Sequence, residues 1–425
     1  MSAIKLIADT FLLCIPDLNF IVHDMNRKLF SNSIITIVSI LITPFIFSSC
    51  NEENEDNPYP DYPTTSQQTV IMYMPWSGSS IYKDFLNNIS DFEQAICNNE
   101  GLKGNSLIVF ISENTSSSNL IRISYNKGKC LRDTLKHYTF NECNYTTSQG
   151  ITSILLDAIG AAPADTYAMT IGCHGMGWIP AGTQVTTRTR LLESNAISYP
   201  TRFFGHSSDS RYQTDVSTLT EGINGANIKM EYILFDDCYM SNIETAYELK
   251  NVTKYLIAST SEIMSYGMPY SKIGIALLNN NYEEIVNGFY TFYSSFIPPC
   301  GTIGVTDCRE IETMVAIMHE INMAYPNGLD DTSDIQTLDG LSPTVFFDFG
   351  DYVAHLCKDQ SLLSAFNEQL SRLIPYKAHT ETYYSNYTKH TIPIKTFSGI
   401  TISDPTKNNS VKADAINTKW YKATH

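Results

Sequence analysis

The stretch "TYAMTIGCHGMGW", Thr166 to Trp178, is an apolar run that closes on His174 and is followed by Gly175 and Gly177. A second stretch, "MEYILFDDCYMSN", Met230 to Asn242, has the same design: its apolar run closes on Asp236, Asp237 and Cys238. Runs that are apolar throughout, rather than alternating, read as strands buried on both faces. "TVIMYMPW", "SLIVFIS" and "KYLIAST" read the same way. Between them lie helical patterns. "IYKDFLNNISDFEQAI" places Phe85, Ile89, Phe92 and Ile96 on one face, and "SQGITSILLDAIGAA" starts at Ser148 as a cap. "DVSTLTEGING" is a short helix, and "SNIETAYELK" opens on Ser241 with Glu244 three residues on, a capping box. "LIRISYNKGKCLRDTLKHY" predicts a hairpin turning at Asn126-Lys127-Gly128. Buried strands alternating with helices predict an α/β fold with a mainly parallel central sheet covered on both sides. From Tyr282 the chain turns more helical, with "TIGVTD" and "TFSGITIS" as further strand candidates. No internal repeat is present.

In such sheets ligands bind beyond the carboxyl ends of the strands, where both His174 and Cys238 fall. A cysteine attacks as thiolate, and a nearby imidazole takes its proton and returns it to a leaving group. The backbone N–H groups of Gly175 and Cys238 are candidates for an oxyanion hole. A helix opening at Ser241 would turn its positive end toward Cys238. Strand alternation places Asp236 on the face of Cys238, and it places Cys173 and Asp237 on the opposite faces of their strands. Cys173 therefore reads as packing.

Composition narrows the function. The chain has 425 residues, is 43% hydrophobic and carries a net charge of −16. That balance argues against nucleic acid as a partner, since phosphate binding needs clustered Lys and Arg. The ten cysteines show no CxxC pair, which excludes a zinc ribbon or a dense disulfide scaffold, and spacing fixes no pairing. No EF-hand loop or other metal motif is present, so no metal site is assigned.

The N-terminal region reads as an address. Arg27 and Lys28 precede an apolar run that ends in Phe47, Ser48, Ser49 and Cys50, the layout of a signal peptide over residues 25–49. Small residues before Cys50 resemble a bacterial lipoprotein box, with Phe47 where leucine is usual. Cys50 is thus the expected lipidation site. Residues 50–67 are acidic and contain prolines, the composition of a tether. An acidic run after a lipidated cysteine resembles the export signal of Bacteroides-type surface lipoproteins, so an outer-membrane location, surface-exposed, is expected. Residues 1–24 are either upstream of a true start at Met25 or an extension.

"CHGMGW" and "FDDCYMSNIETAYEL" resemble the histidine and cysteine motifs of the clostripain family of cysteine peptidases, within the caspase-like clan. "TVIMYMPWSGS" and "ASTSEIMSYGMPY" resemble its first strand and its post-cysteine segment, so the resemblance covers roughly Thr69 to Leu278. It implies a caspase-like three-layer α/β/α sandwich over residues 68–280, with 281–425 a helical and strand extension packed on it. It also implies hydrolysis after Arg or Lys, with His174 as general base and Cys238 as nucleophile. Asp236 matches a family aspartate placed to meet a basic substrate side chain, and Ser261, Glu262 and Tyr266 match the segment that walls the cleft. No cofactor is implied. Calcium dependence occurs in the family, but no calcium site can be assigned. Relatives are activated by cleavage between histidine and cysteine. Here "AGTQVTTRTRLLESNAISYPTRFFGHSSDSRYQ" spans that region without helical or strand period and contains Arg188, Arg190, Arg202 and Arg211. Self-cleavage after Arg188 or Arg190 is the expectation. Two other readings stand beside this one: a catalytically silent binding lipoprotein, and a transpeptidase or ligase of the same clan.

Overall fold

The structure is a computed structural model, and it describes residues 65–78, 81–139, 145–183, 185, 204–206 and 209–425. The apolar runs become strands. In chain order these are β1 (Ser66–Met74), β2 (Ser106–Asn114), β3 (Ser117–Asn126), β4 (Lys129–Thr139) and β5 (Ala164–Gly172). Two-residue strands β6 (Phe204–Gly205) and β7 (Gln213–Thr214) follow, then β8 (Met230–Asp236), β9 (Thr253–Ala258) and β10 (Thr302–Asp307). The last are β11 (Phe347–Asp348), β12 (Tyr376–His379), β13 (Thr382–Ser385), β14 (His390–Pro393) and β15 (Thr401–Ile402).

One large sheet has the order β12-β10-β9-β8-β5-β1-β2-β3-β4. Its centre, β9-β8-β5-β1-β2, is parallel. Antiparallel strands flank it on both edges: β3 and β4 on one, β10 and β12 on the other. Val70 to Met74 and Tyr232 to Phe235 are all buried, as strands covered on both faces require.

The helices are α1 (Tyr82–Asn98), α2 (Ser148–Ala161), α3 (Val216–Gly225), α4 (Ile243–Leu249), α5 (Tyr270–Leu278) and α6 (Tyr282–Tyr293). They continue with α7 (Ile311–Ala324), α8 (Phe349–Leu356), α9 (Gln360–Leu373), α10 (Lys412–Ala415) and α11 (Lys419–Thr424). From β1 the chain crosses through α1 to β2 in one direction along the sheet. From β5 it crosses through α3 to β8 and through α4 to β9 in the other. Right-handed crossovers running in opposite directions place α1 and the α3–α4 pair on opposite faces. The result is a three-layer α/β/α sandwich. The strand order reverses between β1 and β5, beside the carboxyl end of β5 that carries His174.

Local signals held with small shifts. The hairpin turns at Lys127 and Gly128, both with positive φ. Thr147, not Ser148, caps α2, accepting the Gly150 N–H at 3.2 Å. The capping box at Ser241 is replaced. Asn242 caps α4 by accepting the Thr245 N–H at 2.8 Å. Ser241 instead donates to the Gly399 carbonyl at 2.9 Å, and Glu244 accepts the Ser403 N–H at 2.7 Å. Both side chains are recruited by the "SGITIS" segment, about 160 positions away, which a local reading cannot see. The C-terminal part does not only cover the core: β10 and β12 complete the sheet.

Candidate active site

Strands β5 and β8 are parallel neighbours, and their register pairs Gly172 with Asp236. His174 and Cys238 each follow two residues later, so they leave the sheet side by side. Both line one cavity of about 340 Å³. Phe85 and Asn88 of α1 wall it on one side, and Glu262 to Ser265, after β9, wall it on another. Tyr384 of β13 and Asn386 beyond it also line it, as do Cys173 and Asp237 at the strand ends.

Cys238 sits on a strained turn. Tyr239 has φ +61°, a left-handed conformation rare for an aromatic residue. The turn is overdetermined. The Tyr239 N–H donates to the Ser261 carbonyl at 3.1 Å, the Tyr239 carbonyl accepts from Asn242 Nδ2 at 2.8 Å, and its ring stacks on Phe346 at 5.3 Å. The Ile263 N–H donates to Cys238 Sγ at 3.3 Å. Burial, then the nearby Glu262 carboxylate, pushes the Cys238 thiol up, and the Ile263 N–H opposes them. Burial, then His206, holds the His174 imidazole down at about 4. Burial thus favours the neutral form of both side chains.

Gly175 lies directly against the Cys238 backbone. A Cβ there would stand 2.6 Å from Asp237 Cβ, 2.7 Å from the Cys238 carbonyl oxygen and 3.2 Å from the Cys238 nitrogen. Only glycine permits this approach. The contact joins the two loops whose N–H groups are the oxyanion-hole candidates.

Asp237 was not foreseen as a site residue. Its carboxylate accepts the Cys173 N–H at 2.7 Å and the Cys173 thiol at 3.2 Å. It thereby tethers the histidine loop to the cysteine loop. Alternation had put Cys173 and Asp237 on the non-catalytic faces of their strands, and the signal lay in asking whether those faces meet. Burial pushes Asp237 up to about 8.

Asp236 lines the cavity. One of its oxygens accepts the Met268 N–H at 2.6 Å. Gly267 packs against this carboxylate, where a Cβ would stand 2.6 Å from Oδ1. Burial pushes Asp236 up to about 7 against the opposing Met268 bond. Among the described residues lining the cavity there is no Lys or Arg. Glu262 also lines it and accepts from Ser385 Oγ at 3.0 Å and the Asn386 N–H at 2.8 Å, anchoring the β13–β14 hairpin to the cleft. Ser261 is fully buried, bonded to Thr302 Oγ1 at 2.9 Å and outside the cavity lining. Tyr266 is exposed: its carbonyl accepts from Asn88 Nδ2 at 2.9 Å and its ring leans on Phe296. Tyr384 and Asn386 arrive from over 140 positions beyond the cysteine, with no motif to announce them.

Cys50, Arg188, Arg190 and Arg202 lie outside the described residues. Among those described, no group of three His, Cys, Asp or Glu side chains could hold a metal ion. No described helix is long and apolar enough to cross a membrane.

A thiol and an imidazole at adjacent parallel strand ends, over a cleft that admits a side chain, belong to a cysteine peptidase on a caspase-like sheet. The family follows: the clostripain family profile matches residues 73–410, and the chain belongs to that family. It is a cysteine peptidase. A secreted cysteine protease from Bacteroides thetaiotaomicron is 47% identical, with a TM-score of 0.77, over 85% of this chain and 100% of that one. A clostripain from the same organism, in complex with the peptide inhibitor BTN-VLTK-AOMK, is 52% identical over 52% of this chain and 99% of that one, with a TM-score of 0.50. An inactive zymogen protease from Parabacteroides distasonis shares the fold at 23% identity and a TM-score of 0.71, over 86% of this chain and 100% of that one. No curated protein matches the chain.

Proposed function

We propose that this enzyme is an endopeptidase that cuts after Lys or Arg through a Cys238–His174 dyad. The observation that supports it most is the β5–β8 register, which delivers both side chains to one cavity two residues past Gly172 and Asp236. His174 takes the thiol proton as Cys238 Sγ attacks the substrate carbonyl. The oxyanion forms against the Gly175 and Cys238 N–H groups, and the leaving amine departs with the proton from His174. Water, deprotonated by His174, then hydrolyses the thioester. Asp236 is the specificity residue: a buried carboxylate at the cavity, without a basic partner there, gains most from a substrate ammonium or guanidinium. The inhibitor bound by the clostripain relative, whose peptide reads Val-Leu-Thr-Lys, supports a basic residue at this position.

The test is a thiol-directed peptide probe with Lys beside its reactive ketone. It should label the wild type at Cys238 and leave Cys238→Ala unlabelled. Equal labelling by a probe with Glu in that place would reject the specificity.

Two parts of the proposal concern the segments outside the described residues. Activation proceeds by self-cleavage after Arg188 or Arg190. Sequencing the N-termini of fragments from active and Cys238→Ala protein tests it, and a fully active uncut chain would overturn it. Export uses residues 25–49 and a lipid on Cys50, a reading that the secreted relative supports as far as export goes. Fatty-acid labelling that is equal in wild type and Cys50→Ala would remove the anchor.

A further inference from the structure

Away from the cleft, two cysteines meet. Cys97 lies near the end of α1 and Cys130 near the start of β4, and their sulfurs are 3.7 Å apart. Both are partly exposed, whereas Cys173, Cys300, Cys308 and Cys357 are buried. Ser90, Glu93 and Cys97 recur at three- and four-residue spacing, so they form one stripe of α1. Cys130 and Arg132, two apart, share one face of β4. The stripe and the strand face are fastened by polar bonds. Arg132 Nε donates to Glu93 Oε1 at 2.6 Å, and its Nη2 donates to Glu93 Oε2 at 2.8 Å and to Ser90 Oγ at 3.2 Å. The Cys130 thiol donates to the Glu93 carbonyl at 3.5 Å. This two-pronged ion pair fixes helix against strand and leaves the two sulfurs in van der Waals contact.

We propose that Cys97 and Cys130 form a dithiol that closes to a disulfide under oxidising conditions and staples α1 to the outer hairpin of the sheet. The sulfurs must approach to about 2.05 Å, a movement within reach of side-chain rotation. With oxidised glutathione as the oxidant, one thiolate attacks its disulfide and releases one glutathione. The second cysteine then attacks the mixed disulfide and releases another. The pair loses two protons and two electrons, and one oxidised glutathione becomes two reduced ones.

The staple has a place to act. β4 is the last strand on its edge, paired only through β3, so this hairpin has one fewer partner than any central strand. α1 supplies Phe85 and Asn88 to the cleft wall. A bond between residues 33 positions apart also restricts the unfolded chain. Disulfides of this kind persist in oxidising surroundings and open in reducing ones. The cysteine spacing held no hint of the pairing, since it depends on how α1 lies against β4.

The experiment uses the full chain, equilibrated with oxidised glutathione or with dithiothreitol, alkylated, and digested with trypsin without reduction. Cleavage at Lys83, Lys103, Lys129 and Arg132 isolates Cys97 in residues 84–103 and Cys130 in residues 130–132. The oxidised sample should yield these two peptides cross-linked, two hydrogens lighter than their sum. The oxidised protein should melt roughly 3–8 °C above the reduced one, and Cys97→Ser should melt equally in both buffers. Two alkylated thiols after oxidation, or glutathione on either cysteine without a cross-link, would overturn the proposal. The peptide map of the wild type decides it even if Cys97→Ser folds poorly.

Discussion

Asp236 and Asp237 are adjacent, both buried and both in the cavity lining, yet each is bonded to a different part of the fold. Asp237 is taken up by the histidine loop. It accepts two bonds from Cys173 and ends its reach there. Asp236 accepts the Met268 N–H and has the Tyr270 side chain as a second partner. Burial pushes both up, Asp236 to about 7 and Asp237 to about 8. The difference lies in what each holds: Asp237 ties the two loops together, and Asp236 is, in our proposal, the carboxylate that meets a basic substrate side chain. On that proposal, neighbouring carboxylates at the end of β8 serve as a tether and a recognition group.

The proposed dyad shares this cavity, and the largest effects should appear there. Cys238→Ala should lower kcat/KM by about 10⁴-fold or more, and His174→Ala by about 10³-fold or more, because each removes a member of a unit. Steady-state assays on a Lys peptide check both, and near-normal turnover in either variant would discard the dyad. Gly175→Ala ranks next. Its Cβ would collide with Asp237 and with the Cys238 carbonyl, pushing apart the two loops. A shift of this kind should cost about 100-fold in kcat. Unchanged kcat would show that the loops tolerate separation and that Gly175 does not shape the hole.

Asp236→Asn should act on the substrate side of the comparison. For Lys or Arg substrates kcat/KM should fall about 10- to 100-fold, roughly 1.4–2.7 kcal/mol. The carboxylate must be ionised to meet a cation. In the wild type, kcat/KM should therefore climb as pH rises through about 7, and this limb should vanish in the Asn variant. A retained limb would assign it to another group. His174, held down near 4, loses its role as base only in more acidic solution, so the two limbs are separable.

These particular residues show what the sequence could and could not convey. His174 and Cys238 were legible because each ends an apolar run, and runs of that length and type have one stable use in an α/β sheet. The placement of Asp236 in the same cavity as Cys238 was legible through alternation. Asp237 was half legible: its direction was right, but a hydrogen bond to Cys173 needs two strands placed in register. Tyr384, Asn386 and the Glu262–Ser385 bond were illegible, because a hairpin from the C-terminal part is brought to the cleft by the whole fold. The capping of α4 failed for the same reason, since the Gly399 carbonyl and the Ser403 N–H claim side chains that local spacing gives to the helix.

The smallest kinetic effect and the sharpest physical one belong to Asp237→Asn. The amide oxygen can still accept the Cys173 N–H, so kcat/KM should fall by no more than about tenfold. Stability should respond differently with pH. Asp237 is held at about 8 in the folded protein, against an ordinary carboxylate value near 4 in the unfolded chain. Between these values the folded state binds a proton that the unfolded state does not. Stability from this group is therefore fully present at low pH and is lost as pH rises through about 8. From pH 6.5 to 8 its share of the loss is about 1–2 kcal/mol. His174 contributes with the opposite sign, gaining stability as pH rises from about 4 to 6.5, and is spent before this window opens. Denaturant unfolding of wild type and Asp237→Asn at pH 6.5 and 8 isolates the term. The wild type should lose more stability than the variant across the interval. Equal losses would mean that Asp237 is ionised throughout and that its bond to the Cys173 thiol is an ordinary charged one, which would erase the distinction between the two aspartates.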